Sequence, residues 1–508
     1  MGAGEPSGGC MDGVRVVESE TAMGRVVVAT RGFETGEVVL AEPAALVWLK
    51  EGGPTGLLRA FSRAKRDTQE AVLEMFHPAL KSEAAGAVLE RSYQVLLPDQ
   101  QEELVSLEDT QRLMPRLMLI ATFNAHFFLG RTNPTVPAAP DAPAEASLAL
   151  GVEPFAKHSA LFVIGSKVEH SCLPNVSYGS KTGQLVYKTV RPIAAGDRIS
   201  FAYVATTQQD TQERRELLVA SKLFICACAR CEGPDVCRSL PCSACSGGIT
   251  LRTSPAESMR SSDGNLVSQL WHGVGATWTC LSCNTLATDA EMSAAIKKEA
   301  QLVADLEQRK AISSVKPGMV RAALQQQILL HSALPPMHHL HARYSELVSF
   351  LTASEANTLK GCPPSMVATM VRAGTMQPIK QLQWEAAVSA VKLIVWRERS
   401  KAVLLGRMQP QATWEPGAAA SKQGLSPQAR LAHIVGSVWS GSHEAAALKP
   451  CWDSARDAYY AGIDLEHTGS AAEAAPIFRR YRGVIFSWLQ ADDHGRRRRV
   501  QEVLDRFP

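Results

Sequence analysis

The chain has 508 residues, 45% hydrophobic and 20% charged, which is ordinary globular usage with room for several domains. Its 53 basic residues against 50 acidic ones leave a formal charge of +3, too small for a global field to draw it onto nucleic acid or an anionic membrane. The longest apolar stretch, Leu113 to Leu129, is interrupted by Pro115, Arg116, Asn124 and His126, so it does not read as membrane-spanning.

The first residues, MGAGEPSGGCMDG, have neither a basic start nor an apolar core of signal-peptide length, and the expected compartment is cytosol or nucleus. VRVVES, RVVVATRGF and EVVLAEPAALVW then read as strands, with turn signals at Met23-Gly24 and Glu34-Thr35-Gly36. From Pro54 to about Gly130 the apolar residues fall three and four apart, the period of helices inserted into a β domain. Residues 131–156, rich in proline and alanine, are expected to form a mobile surface loop. Strand character returns at LFVIGSKV, VSYGS, QLVYKTV and RISFAYV, the last preceded by the turn residues Ala195-Gly196-Asp197.

Eight of the twelve cysteines lie between Cys226 and Cys283, a density that in a long reduced-compartment chain favours zinc over disulfides. Cys226, Cys228 and Cys231 supply three thiolates where a closed structural zinc needs four. Cys172, in the polar segment EHSCLPN, is the best candidate for the fourth; three reduced thiols without metal are the alternative. Cys242, Cys245, Cys280 and Cys283 form two knuckles at zinc-ribbon spacing across a long loop. Cys237, Cys10, Cys362 and Cys451 read as plain thiols. Beyond Thr288 the pattern is helical to Phe507, without a clean repeat consensus.

At His170-Ser171-Cys172-Leu173-Pro174-Asn175 and at Gly196-Asp197-Arg198-Ile199-Ser200-Phe201-Ala202-Tyr203, followed by TQERRELLVASKLFICACARC, the chain resembles SET-domain methyltransferases of the SET and MYND (SMYD-type) subfamily. The resemblance implies an α+β fold: a β-rich SET domain over 12–204 with a pseudoknot and a helical insertion at about 54–130, a cysteine-rich post-SET segment over 205–285, and an all-α, TPR-like domain over 286–508. It also implies methyl transfer from S-adenosylmethionine to a lysine of a protein substrate, histone or non-histone. Tyr203 then stands at the catalytic tyrosine; its other reading is a buried strand aromatic. Gly24, Asn124, Glu169, His170, Asn175 and Phe224 border the cofactor, and Cys172, Cys226, Cys228 and Cys231 hold the post-SET zinc. The helical C-terminal domain is the expected surface for a protein partner, while the basic run Arg496 to Arg499 reads as a solvated helix end rather than a nucleic-acid site.

Three departures and one omission accompany the likeness. Glu169 replaces the usual asparagine, Gly24-Arg25-Val26 replaces Gly-x-Gly, and Lys222 and Leu223 replace a second aromatic of the lysine channel. The MYND finger is missing, since no cysteine lies between Cys10 and Cys172. A non-catalytic scaffold that keeps the zinc-tied fold is therefore the competing expectation.

Overall fold

The computed structural model describes residues 12–19, 24–49, 52–80, 82–94, 110–131, 155–181, 184–204, 208–253, 276–311, 319–360, 362–372, 378–411, 413, 426–435, 450, 454–489 and 494–507. They fall into two units, Met1–Tyr203 with Ala220–Leu223, and Val204–Val219 with Phe224–Pro508. Cys10, Cys451 and most of the expected loop at 131–156 lie outside the described residues.

The first unit opens with the antiparallel pair β1 (Val14–Glu18) and β2 (Arg25–Ala29), in register from Val14 opposite Ala29 to Glu18 opposite Arg25. Val26, Val27, Val28 and Ala29 are all buried, which explains a continuous apolar run where a half-exposed strand would alternate. EVVLAEPAALVW divides into β3 (Val38–Pro43) and β4 (Leu46–Leu49). β3 joins β9 (Gln184–Thr189) and β8 (Val176–Lys181), and β4 joins β6 (Phe155–Leu161) and β5 (His126–Arg131). The core beneath β3 and β9 is built from Val27, Phe33, Leu40, Phe162, Tyr187 and Phe201.

Helices α1 (Gly53–Arg63), α2 (Arg66–Leu73), α3 (Glu83–Gln94) and α4 (Thr110–Asn124) occupy the expected insertion. Leu57, Phe61, Val72, Leu117 and Ile120 bury one helical face against Leu46, Trp48 and Leu161. Three expectations are corrected here. The helical period does not reach Gly130: it stops at Asn124, and His126–Arg131 pairs with β6 as a strand. LFVIGSKV is a strand only at Leu161; Gly165–Lys167 makes a 3-10 turn, because the buried Glu42 carboxylate accepts from the Ile164 and Gly165 amides at 2.9 and 2.7 Å. RISFAYV likewise contributes only β10 (Ser200–Phe201), which runs parallel to β7 (Glu169–His170).

In the second unit, α5 (Thr211–Lys222) supplies its first turns, and β11 (Asp235–Pro241), β12 (Ile249–Thr253), β13 (Thr277–Cys280) and β14 (Leu286–Ala287) form an antiparallel sheet in chain order. The rest is helical: Ser293–Lys310, Met319–Ala333, His339–Lys360, Pro364–Arg372, Ile379–Leu404, Pro427–His433, Ala455–His467, Ala471–Trp488 and His494–Arg506. Helix Ile379–Leu404 is buried nearly all round, so its buried charged residues are paired: Glu385 with Arg430, Arg397 with Asp457, and Glu398 with Arg480 and Tyr481. Among the described residues no helix is long and apolar enough to cross a membrane.

Candidate active site and metal centres

Tyr203 follows the short strand β10, and three groups fix it. Its hydroxyl donates to the Val168 carbonyl at 2.7 Å, its amide donates to His170 Nδ1 at 3.0 Å, and its ring packs 4.8 Å from that of Phe201. Burial, reinforced by the nearby Glu169 carboxylate, pushes the Tyr203 hydroxyl above its ordinary range, so it remains a proton donor at neutral pH. Because His170 Nδ1 accepts, the proton of the neutral ring sits on Nε2, which meets Cys172 Sγ at 3.2 Å.

Asn175 ties the two chain segments of this site together. Its Oδ1 accepts from Ser200 N at 2.8 Å, its Nδ2 donates to Arg198 O at 2.7 Å, and its own amide donates to Ser200 O at 3.1 Å. The side chain and Ser200 are both buried, so these bonds have no competition from water. The Ser171 amide donates to Phe201 O at 3.1 Å. Glu169, half-buried, is held by Arg198 at 3.3 Å, and burial raises its carboxyl against that pairing.

Gly24 has φ +70°, and a Cβ there would meet nothing within 4 Å, so the turn is both left-handed and open. Arg25 is drawn to Glu74, donating to its carboxylate at 3.3 Å and its carbonyl at 3.2 Å. Asn124, at the end of α4, donates from Nδ2 to the Phe76 and Ile120 carbonyls at 2.8 Å each; its carboxamide oxygen accepts from none of the described residues.

Lys222 was legible in the sequence only as a missing aromatic. Its Nζ donates to the Phe123 carbonyl at 3.0 Å and lies 5.6 Å from the Tyr203 ring centroid and 5.9 Å from that of Phe123. Burial lowers its pKa. An amine thus stands beside Tyr203, flanked by aromatic rings. His126, which the sequence reading passed over, packs against the rings of Phe162, Tyr178 and Phe201 at 5.0–5.7 Å. Phe224 belongs to the second unit, where it is half-buried.

In the second unit Cys242, Cys245, Cys280 and Cys283 present sulfurs that all lie within 4.8 Å of one another. Cys242 and Cys283, and Cys245 and Cys280, are each 3.8 Å apart, the separation that a tetrahedral metal with bonds of about 2.3 Å imposes. Gly248 closes the cradle: a Cβ there would stand 2.5 Å from Cys245 Sγ and 2.9 Å from Cys280 Sγ. The donor set and spacing fit zinc.

Cys226, Cys228 and Cys231 also converge within 4.8 Å. The fully buried guanidiniums of Arg214 and Arg215 serve this cluster. Arg214 Nη2 donates to Cys231 Sγ at 3.5 Å, and Arg215 donates to the Cys226 and Cys231 carbonyls at 3.0 and 3.1 Å. Buried cations offset the negative charge that thiolates carry once a metal deprotonates them. Cys237 stands apart, receiving Arg230 Nη2 at 3.3 Å, and burial keeps its thiol protonated. Cys172 is buried in the first unit, of which it is the one cysteine among the described residues.

No family model matches the chain. Short segments do match known proteins: 81 residues are 36% identical to a protein of Acanthamoeba polyphaga mimivirus named for a SET domain, covering 16% of this chain and 31% of that one. A further 78-residue match at 38% identity is to the histone-lysine N-methyltransferase SET5 of Meyerozyma guilliermondii, covering 15% of this chain and 16% of the relative. A SET and MYND domain-containing protein of Dictyostelium discoideum is 34% identical over 71 residues, 14% of this chain and 17% of its own length. Over these segments the chain is similar to SET-domain proteins. The matched segments span less than a third of each of these three relatives.

Proposed function

We propose that the chain is a protein-lysine methyltransferase of the SET class that uses S-adenosylmethionine, with the SMYD-type arrangement but no MYND finger. The observation that carries this reading is the Tyr203 hydroxyl, buried, protonated and held on the Val168 carbonyl beside the Asn175-bonded pair of parallel strands. In this reading the segment from His170 to Asn175 and the strand at Ser200 form the pseudoknot, and the C-terminal helices are a TPR-like domain that takes a protein partner. The residues expected at the cofactor fit it: Gly24 offers open backbone with positive φ, the Asn124 carboxamide oxygen accepts from none of the described residues and can meet an ammonium group, and Glu169 is an acceptor. S-adenosylmethionine, when bound, supplies a methyl group on a positively charged sulfonium.

The substrate amine must arrive neutral and in line with that methyl. Tyr203 orients it through its hydroxyl and the carbonyl that the hydroxyl touches, while the rings of Phe201 and Phe123 keep water out. The two cysteine groups act as structural zinc centres. Cys242, Cys245, Cys280 and Cys283 hold one, and Cys226, Cys228 and Cys231 with Cys172 as fourth ligand hold the other. Histone and other protein lysines, in nucleus or cytosol, are the substrate class.

A second reading, a scaffold without catalysis, is favoured by Lys222, whose ammonium stands beside Tyr203 where a channel aromatic is customary. Calorimetric titration of the zinc-loaded protein with S-adenosylmethionine, with Tyr203→Phe in parallel and a lysine-peptide array afterwards, decides between the two. Micromolar binding by both proteins, with peptide methylation by wild type alone, is expected. Folded, zinc-replete protein that binds no cofactor would leave the scaffold.

A further inference from the structure

His339, at the start of helix His339–Lys360, is 1% exposed, yet among the described residues neither of its ring nitrogens has a hydrogen-bond partner. A neutral imidazole carries one N–H and one lone pair, and burying both unpaired is costly. Nδ1 lies 3.8 Å from Glu213 Oε2 and Nε2 lies 3.9 Å from Glu299 Oε1, both too long for hydrogen bonds and on opposite sides of the ring. Burial drives its pKa down to about 4, so it is not protonated to meet them.

Glu213 and Asp210 are fixed in place by a reciprocal cap at the start of α5: Glu213 N donates to Asp210 Oδ1 at 2.8 Å and Asp210 N donates to Glu213 Oε2 at 3.4 Å. Asp210, Glu213 and His339 bring one ligand atom each within 4.8 Å of one another. A competing set, Glu299 with His338 and His339, is equally close but chemically weaker. His338 Nδ1 accepts from Leu340 N at 3.2 Å, so Nε2 carries its proton and donates to Glu299 at 3.0 Å, leaving no lone pair for a metal. Glu299 is also gripped by Arg238 at 2.7 and 3.0 Å.

We propose that His339 Nδ1, Asp210 and Glu213 bind one divalent transition-metal ion such as zinc, a nitrogen and oxygen site separate from both cysteine groups, with Glu299 orienting the imidazole through Nε2–H. This gives both stranded nitrogens a partner in the pattern that metal-bound histidines use, one nitrogen on the ion and the other on a carboxylate. Arg343, 2.8 Å from Glu213, and Arg238, 3.7 Å from Asp210, flank the two carboxylates and offset their charge. A histidine with two carboxylates suits zinc or manganese better than a soft ion.

The test is the metal count of the full-length protein by native mass spectrometry after equilibration with zinc, for wild type, His339→Phe and Asp210→Asn, the last able to keep the helix cap. Wild type is expected to hold one ion more than either variant, whatever the cysteine groups contain, so the outcome is independent of the thiolate centres. Glu299→Gln should keep that ion at saturation but bind it roughly ten- to a hundred-fold more weakly. Equal metal counts in wild type and Asp210→Asn, with both folded by circular dichroism, would overturn the proposal; so would zinc absorption spectra with no nitrogen or oxygen neighbours in wild type.

Discussion

Asn175→Ala should loosen the strand pair that carries Tyr203 while leaving the rest of the first unit folded. The substitution removes the acceptor of Ser200 N and the donor to Arg198 O, bonds of 2.8 and 2.7 Å at positions that are 4% and 5% exposed for Asn175 and Ser200. Each buried backbone group left unpaired costs about 1–3 kcal/mol, and partial entry of water into the vacated space offsets some of it. A net loss of about 3 kcal/mol is reasonable, because the Asn175 amide keeps its own bond to Ser200 O. One global unfolding curve is a poor gauge in a chain of two units. Hydrogen exchange read by mass spectrometry is local: at about 1.4 kcal/mol per factor of ten, the Ser200 and Phe201 amides should exchange roughly 150-fold faster. The β4–β6 pairing, Leu46 with Leu161, should keep its protection. Exchange at Ser200 within about threefold of wild type would show that the side chain is a bystander and would refute the reasoning.

Three further outcomes follow from the geometry. Burial, with the Lys222 charge adding to it, lowers His126 to about 4, below the ordinary 6.5 of an unfolded chain. The unfolded state therefore takes up the proton first, and stability should fall by about 3 kcal/mol as pH drops from 6.5 towards 4. Hydrogen-exchange protection across the β5–β6 pairing, corrected for intrinsic rates, should fall from about pH 7.5 to about 4.5 in wild type and fall less in His126→Phe. Gly248→Ala places a methyl against Cys245 and Cys280 and should cost the protein one zinc, read by elemental analysis, where Gly179→Ala, whose Cβ meets nothing within 4 Å, should not. Gly462→Ala drives a methyl to 2.3 Å from the Phe478 ring between helices Ala455–His467 and Ala471–Trp488, and overpacking of this kind costs about 1–3 kcal/mol, visible as a lower melting temperature.

What the sequence made legible is what local chemistry constrains. Cysteine spacing did so because a tetrahedral metal tolerates few spacings, and Cys242, Cys245, Cys280 and Cys283 converge from both ends of a long loop. Valine runs marked β1, β2 and β3, and the period of three and four marked the helices around Leu57 and Leu117. The strand β5 was hidden because His126–Arg131 continues the apolar stretch of α4, and only a long-range partner, β6, decides its conformation. β6 was hidden in turn because FAKHSAL has no strand alternation. Glu42 capping the turn at Gly165 spans more than a hundred residues, and no window sees it. Lys222 read as a defect because its partners, the Phe123 carbonyl 99 residues away and the Tyr203 ring in a different element, lie outside any local window. The pair His338 and His339 carried no signal, since adjacent histidines in a helical segment are ordinary core.

The short chain of contacts Cys172, His170, Tyr203 has a consequence for the loss of metal. Cys172 Sγ faces His170 Nε2, and the far nitrogen of the same ring holds the Tyr203 backbone. As the zinc thiolate proposed above, that sulfur accepts from Nε2–H; stripped of metal and protonated, it becomes an S–H donor and favours the tautomer with the proton on Nδ1. Nδ1 could then no longer accept from the Tyr203 amide. Chelation would thus reach the tyrosine through an imidazole, without touching any residue that meets substrate.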